Sequence, residues 1–140
     1  MNLRGLIASA LLTLLFSPSP AAACRCKEPN TSGAYKRADI VAIARVLEIV
    51  PNAHLDGVTA TLSVLRSWKG AVPVRITADS GTSCRYPFRV GEEFLLFILR
   101  DAQGSFSTAR CRGNKPAAEA GPSVRWLERH GTAATVDERK

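Results

Sequence analysis

The feature that most constrains this chain is Cys24-Arg25-Cys26, which directly follows Ala21-Ala22-Ala23. Cysteines one residue apart are too close to bond comfortably to each other. The other two of the four cysteines stand far off, at 84 and 111. In an oxidising compartment an even set of four reads as two disulfides. Cys24 and Cys26 then reach Cys84 and Cys111 in one of two ways, crossed or nested.

Residues 1–23 read as a signal peptide, which supplies the oxidising compartment. Arg4 gives a positive start, and Leu6 to Phe16 is an apolar run too short to span a membrane. Ser17 to Pro20 breaks the run, and Ala21 and Ala23 are the small residues that signal peptidase needs. This order speaks against a buried N-terminal helix. A lipoprotein start at Cys24 is a second rival. It would place Ala21 where such signals usually have Leu, and it would leave Cys26, Cys84 and Cys111 as an odd set.

Cleavage after Ala23 leaves 117 residues with 18 Lys and Arg against 12 Asp and Glu, a net charge of +6. That length suits one domain with one core, over 24–131, followed by a polar tail at 132–140. The chain is expected to be secreted or periplasmic and monomeric, with no cofactor and no metal of its own. The positive charge suggests an acidic partner: a protein, a polysaccharide or anionic envelope lipid. Nucleic acid does not suit an exported chain, and no later segment reads as a membrane span.

After Cys26 the pattern is mostly that of strands. Asn30 to Arg37 predicts one or two helical turns, capped by Asn30 or Thr31. Asp39 to Val50 is β-prone, and Pro51 to Gly57 carries turn residues. Val58, Ala60, Leu62 and Val64 alternate with Thr59, Thr61 and Ser63, and Trp68 continues the inward face. Lys69-Gly70 turns the chain into a third strand, Val72 to Ala78. Glu93 to Arg100 is near-continuously apolar, and Ser105 to Cys111 returns as a fifth strand. Pro122 to His130 reads as a helix with Val124 and Leu127 on its apolar face, ended by Gly131. The tail beyond is expected to fray. No internal repeat or second domain is visible. The expected fold is mainly β: a five-stranded closed barrel of the oligonucleotide/oligosaccharide-binding type, with a short N-terminal helical turn, a C-terminal helix and two disulfides. A small sandwich fits the same pattern.

These residues also carry a resemblance. Cys24-Arg25-Cys26, Ala38-Asp39-Ile40-Val41, Ser67-Trp68-Lys69-Gly70, Ser83-Cys84, Gly91-Glu92-Glu93-Phe94-Leu95 and Thr108-Ala109-Arg110-Cys111 follow one another. In this order they resemble the N-terminal domain of the tissue inhibitors of metalloproteinases, in the netrin-module family. The likeness spans roughly residues 24–115. It implies the five-stranded barrel and the pairs Cys24–Cys84 and Cys26–Cys111. The family's third disulfide and C-terminal domain have no counterpart in this sequence.

The resemblance further implies inhibition of a zinc metalloprotease, with no catalysis by the chain itself. A catalytic zinc keeps a water in its open position. The α-amine and carbonyl oxygen of a mature N-terminal Cys24 would replace that water. Contacts to the protease are expected from Arg25, Cys26, Lys27, Thr82, Ser83, Cys84 and Arg85. Arg25 departs from the small or uncharged residue usual after the first cysteine, and so calls for an acidic or solvent-open pocket. The rival is a non-inhibitory netrin-like module that binds an acidic polysaccharide or envelope protein, its disulfides only staples for a small barrel. Tyr86 and Phe88 read as packing onto the nearby disulfide, with a stacking surface beside Arg85 and Arg89 as the alternative. Arg37, Arg45, Arg66, Arg75 and Arg100 read as solvated. For enzyme chemistry there is little: His54 and His130 neighbour no nucleophile, and Glu92 and Glu93 point to opposite faces of a strand.

Overall fold

The computed structural model describes residues 24–54, 56–81 and 83–137. The expectations for the signal peptide at 1–23, for Thr82 and for 138–140 lie outside them. Among the described residues no helix is long and apolar enough to cross a membrane.

In chain order the elements are α1 (Thr31–Arg37), β1 (Ile40–Asn52), β2 (Gly57–Lys69), β3 (Val72–Pro73), β4 (Arg75–Ser80), β5 (Glu93–Arg100), β6 (Phe106–Ser107), β7 (Lys115–Pro116), a 3-10 turn (Ala117–Glu119), α2 (Gly121–His130) and β8 (Val136–Asp137). Five of the strands close a barrel. β1 pairs antiparallel with β2, β2 with β4, and β5 with both β1 and β6, while β4 and β6 run parallel. The ring leaves none of its strands as an open edge, which a small β domain must otherwise protect. β1 and β2 are each 13 residues long and carry register shifts at Val41/Ala42, Ile43/Ala44 and Val46/Glu48. Such bulges bend long strands around a narrow barrel.

The interior holds small residues opposite large ones. Ala42, Ala44, Ala60 and Ala78 leave room for Leu62, Leu96, Ile98 and Phe94. Tyr86 and Phe88, which come after β4, turn into this core and meet Phe94 edge-on, with ring centroids 5.4 and 6.0 Å away. A second core lies outside the ring, where Val41, Leu95 and Phe97 pack with Ala34 of α1 and with Trp68, Ala120 and Leu127. β5 is thus buried on both faces, which explains its unbroken apolar run.

The helices form where the sequence suggested. The Asn30 side chain accepts from the Gly33 N–H at 2.8 Å and caps α1. Pro122 sits in the first turn of α2, and Leu127 is its buried anchor. Gly70 turns at φ +79°, and a Cβ there would stand 2.6 Å from the Asp39 carbonyl oxygen.

Four local expectations differ from the structure. Trp68 does not continue the barrel interior but lies in the second core. Val64 faces Ala44 while Arg66 faces Ile43, so Leu65 is an extra residue that breaks the alternation. The predicted third strand splits at Val74. Pro73 has no N–H to give, and the short β3 pairs with β8 instead of a barrel strand. The tail is not frayed as far as Asp137: Ala134 donates to the Ser67 carbonyl, Val74 to the Asp137 carbonyl, and Val136 packs on the barrel core. Finally, the fifth strand stops at Ser107 instead of reaching Cys111. Side chains take over there. The Asn114 Oδ1 accepts from the Phe97 N–H at 2.7 Å, and the Thr108 hydroxyl donates to the Phe97 carbonyl at 2.8 Å.

Candidate functional site

At one end of the barrel two disulfides lie side by side. Cys24 is bonded to Cys84 and Cys26 to Cys111, with Cα atoms 5.1 and 5.8 Å apart. The Cys24 and Cys26 sulfurs approach to 3.6 Å. With the Cys111 sulfur they form a group within 4.8 Å of one another, the spacing of a metal site. Each of these sulfurs is already half of a disulfide, however, and a metal needs the thiolate.

Hydrogen bonds knit the bonded segments into one unit. The Arg110 N–H donates to the Cys84 carbonyl at 2.8 Å, and the Arg110 Nε to the Arg85 carbonyl at 3.1 Å. The Cys111 N–H donates to the Glu28 carboxylate at 3.2 Å. Cys111 itself adopts φ +63°, a left-handed conformation uncommon outside glycine, so the turn is held in place by what surrounds it. Asn114 supplies part of that hold, since its Nδ2 donates to the Thr108 hydroxyl at 2.7 Å and to the Ala109 carbonyl at 2.9 Å.

The connector that carries Cys84 is anchored from below. The Tyr86 N–H donates to the buried Ser80 hydroxyl at 2.7 Å, and the Gly91 N–H to the Val46 carbonyl. Tyr86 and Phe88 are buried in the barrel core and do not form an exposed stacking surface. Burial, helped by the nearby Glu28 carboxylate, pushes the Tyr86 phenol up to about 12, so it stays neutral at physiological pH.

The residues singled out from the sequence fall as follows. Cys24 is half-buried, while Arg25, Cys26 and Lys27 are exposed along the same edge. Ser83 and Arg85 are exposed beside it, Cys84 is half-buried between them, and Thr82 lies outside the described residues. The disulfides bring 24–27 together with 84–85. Sequence reasoning missed the contribution of the other arm. Arg110 fastens the edge, and its signal was slight, a position next to a cysteine; Glu28, which continues the edge in sequence, ties it to the Cys111 N–H.

Three of the other titratable candidates have structural partners. His130 stacks on Trp126, with centroids 4.5 Å apart, and its Nδ1 lies 2.9 Å from the Trp126 carbonyl oxygen. Glu93 pairs with Arg45 and Glu92 with Arg89. His54 is exposed in the β1–β2 turn.

Neither the protein-family models nor the curated proteins compared with this chain match it.

Proposed function

We propose that the chain is an exported inhibitor of zinc metalloproteases that acts through Cys24 as its mature N-terminal residue. One observation carries the reading: Arg25 to Lys27 are exposed beside a half-buried Cys24, yet both cysteines of this edge are bonded to segments that are themselves hydrogen-bonded to each other. A wedge fixed before binding avoids the ordering cost that a loose terminus incurs. The sequence resemblance to the tissue inhibitors of metalloproteinases supports the same reading.

The chemistry is modest. The terminal amine must be neutral to donate its lone pair, and an α-amino group has a pKa of about 7.7–8.0, so this costs little near neutral pH. Amine and carbonyl oxygen of Cys24 form a bidentate donor pair for the zinc of the partner enzyme. Arg25 enters the cleft beside that metal, where a buried guanidinium requires an acidic or wet pocket.

The alternative is a netrin-like module that binds acidic polysaccharide or an envelope protein through the barrel wall. The wall arginines support it in part: Arg45 and Arg66 are engaged by Glu93 and Glu128, whereas Arg37, Arg75 and Arg100 are exposed and in no ion pair among the described residues.

The deciding experiment adds one Ala before Cys24 and titrates a panel of zinc proteases, thermolysin-like and astacin-like enzymes included. The extension converts the amine to an amide, which does not ligate zinc, so inhibition should fall by several kcal/mol, each 1.4 kcal/mol being about tenfold. Arg25→Ala should shift which enzymes are inhibited without ending inhibition. If the native terminus inhibits none of the panel at micromolar concentration, the binding-module reading replaces this one. Equal inhibition by the extended form would exclude chelation.

A further inference from the structure

Every cysteine in the paired disulfides has a cation as chain neighbour. Arg25 lies between Cys24 and Cys26, Lys27 follows Cys26, Arg85 follows Cys84, and Arg110 and Arg112 flank Cys111. The covalent bonds gather them. Arg25 and Arg85 have Cα atoms no more than about 13 Å apart, as do Lys27 and either arginine beside Cys111. Four of the five are exposed and Arg112 is half-buried.

What sets the five apart is their crowding beside the disulfides, since Arg37, Arg75, Arg100, Arg125 and Arg129 elsewhere on the surface are likewise in no ion pair among the described residues. Arg45, Arg66 and Arg89 each meet a glutamate of the same chain. Among the described residues none of the five at the edge is in an ion pair. The Arg110 Nε donates to the Arg85 carbonyl oxygen, which orients its guanidinium without neutralising it. Among the described residues the acids nearby are Glu28, whose carboxylate accepts from the Cys111 N–H, and Glu119, which lines one cleft with it. Two carboxylates do not balance five cations, so the edge is net positive.

We infer that these five side chains form a basic collar around the Cys24 terminus, and that the surface it meets is a protein cleft rimmed by acidic residues. The inference deepens the proposed inhibition. It rests on that reading for the partner being a protease, but not for the sign of the partner's surface. The charges contribute nothing to the fold through internal pairs, and crowding like charges is mildly unfavourable. An acidic partner would relieve that crowding. At physiological ionic strength the Debye length is about 8 Å, so the collar's field acts within a short distance of the terminus. A compact cluster beside two disulfides matches the rim of a cleft better than the extended track a polysaccharide chain would follow. Complementary rims raise association rates about 10- to 1,000-fold and suppress partners of the wrong sign.

Two measurements test this on the mature protein starting at Cys24. In the first, the isotope-labelled protein is titrated with octaglutamate and, separately, with a heparin octasaccharide, and amide shifts are mapped by NMR. The peptide should perturb Arg25, Lys27, Arg85, Arg110 and Arg112, and the combined variant Lys27→Gln, Arg85→Gln, Arg112→Gln should weaken its binding about tenfold or more, the combined effect of losing three solvent-screened charge pairs. Shifts centred on the wall arginines Arg37, Arg75 and Arg100 would overturn the inference. So would heparin binding the collar about tenfold more tightly than the peptide near 0.15 M salt, where only short-range charge survives. In the second, the association rate with any zinc protease of the panel that the protein inhibits is followed from about 0.05 to about 1 M salt. It should fall about tenfold or more, with dissociation changing far less. A salt-independent association rate would refute the collar even if the variant fails to fold. Peptide binding at the collar without inhibition of any protease would leave the collar standing and remove the inhibitory reading.

Discussion

Asn114→Ala is the sharpest test of how the edge is built. Asn114 is nine-tenths buried and makes three hydrogen bonds, to the Phe97 N–H, the Thr108 hydroxyl and the Ala109 carbonyl. Alanine would leave the Phe97 N–H without an acceptor in the second core. An unsatisfied buried donor costs about 1–3 kcal/mol, and the other two bonds are worth about 0.5–1.5 kcal/mol each, so the loss should be about 3 kcal/mol. For a domain of this size that lowers Tm by about 12 °C. Thr108→Val should cost about 2 kcal/mol, since it frees the Phe97 carbonyl and removes one partner of Asn114. The two side chains share a bond, so the double variant should cost about 1 kcal/mol less than the sum. Urea unfolding with disulfides intact, followed by tryptophan fluorescence, measures all three. Amide exchange at Arg110 and Cys111 should quicken in both single variants. A loss below about 1 kcal/mol for Asn114→Ala, or strict additivity, would mean that the 108–114 turn is held by its disulfide and not by these side chains.

Two other perturbations follow from the same geometry. The fold favours neutral Tyr86 and raises its pKa from 10.0 to about 12, so its stabilisation is complete below the unfolded value and fades as pH climbs between the two. Urea midpoints across that window should decline in the native protein, and Tyr86→Phe should lose that part of the decline; identical pH profiles would show that the phenol is not the group responsible. Replacing Cys24 and Cys84 together by Ser opens a loop closed across 60 residues and should cost about 4 kcal/mol by urea unfolding. The same variant keeps the terminal amine and carbonyl but frees the wedge, so inhibition should weaken about tenfold or more, and undiminished inhibition would contradict the pre-organisation argument.

Local chemistry was legible in the sequence, and features that depend on a distant partner were not. The alternation from Val58 to Val64 marks a half-buried strand because each residue reports its own face. Leu65 looks no different from its neighbours, yet it shifts Trp68 into another core, because a bulge is defined only by the strand opposite. Val136 and Asp137 form too short a stretch to read as a strand, and they become one only beside Val72 and Pro73. Asn114 reads as a turn former, whereas here its amide substitutes for a backbone across 17 residues of sequence. The site divides along the same line. Cys24, Arg25, Cys26 and Lys27 stood out because they are adjacent, and a cysteine carries its long reach in its own side chain. Arg110 and Arg112 gained a place beside them only once Cys111 was joined to Cys26. The charge of this edge is therefore a property of the disulfide pairing: cations that are scattered along the chain become one patch because each sits beside a cysteine.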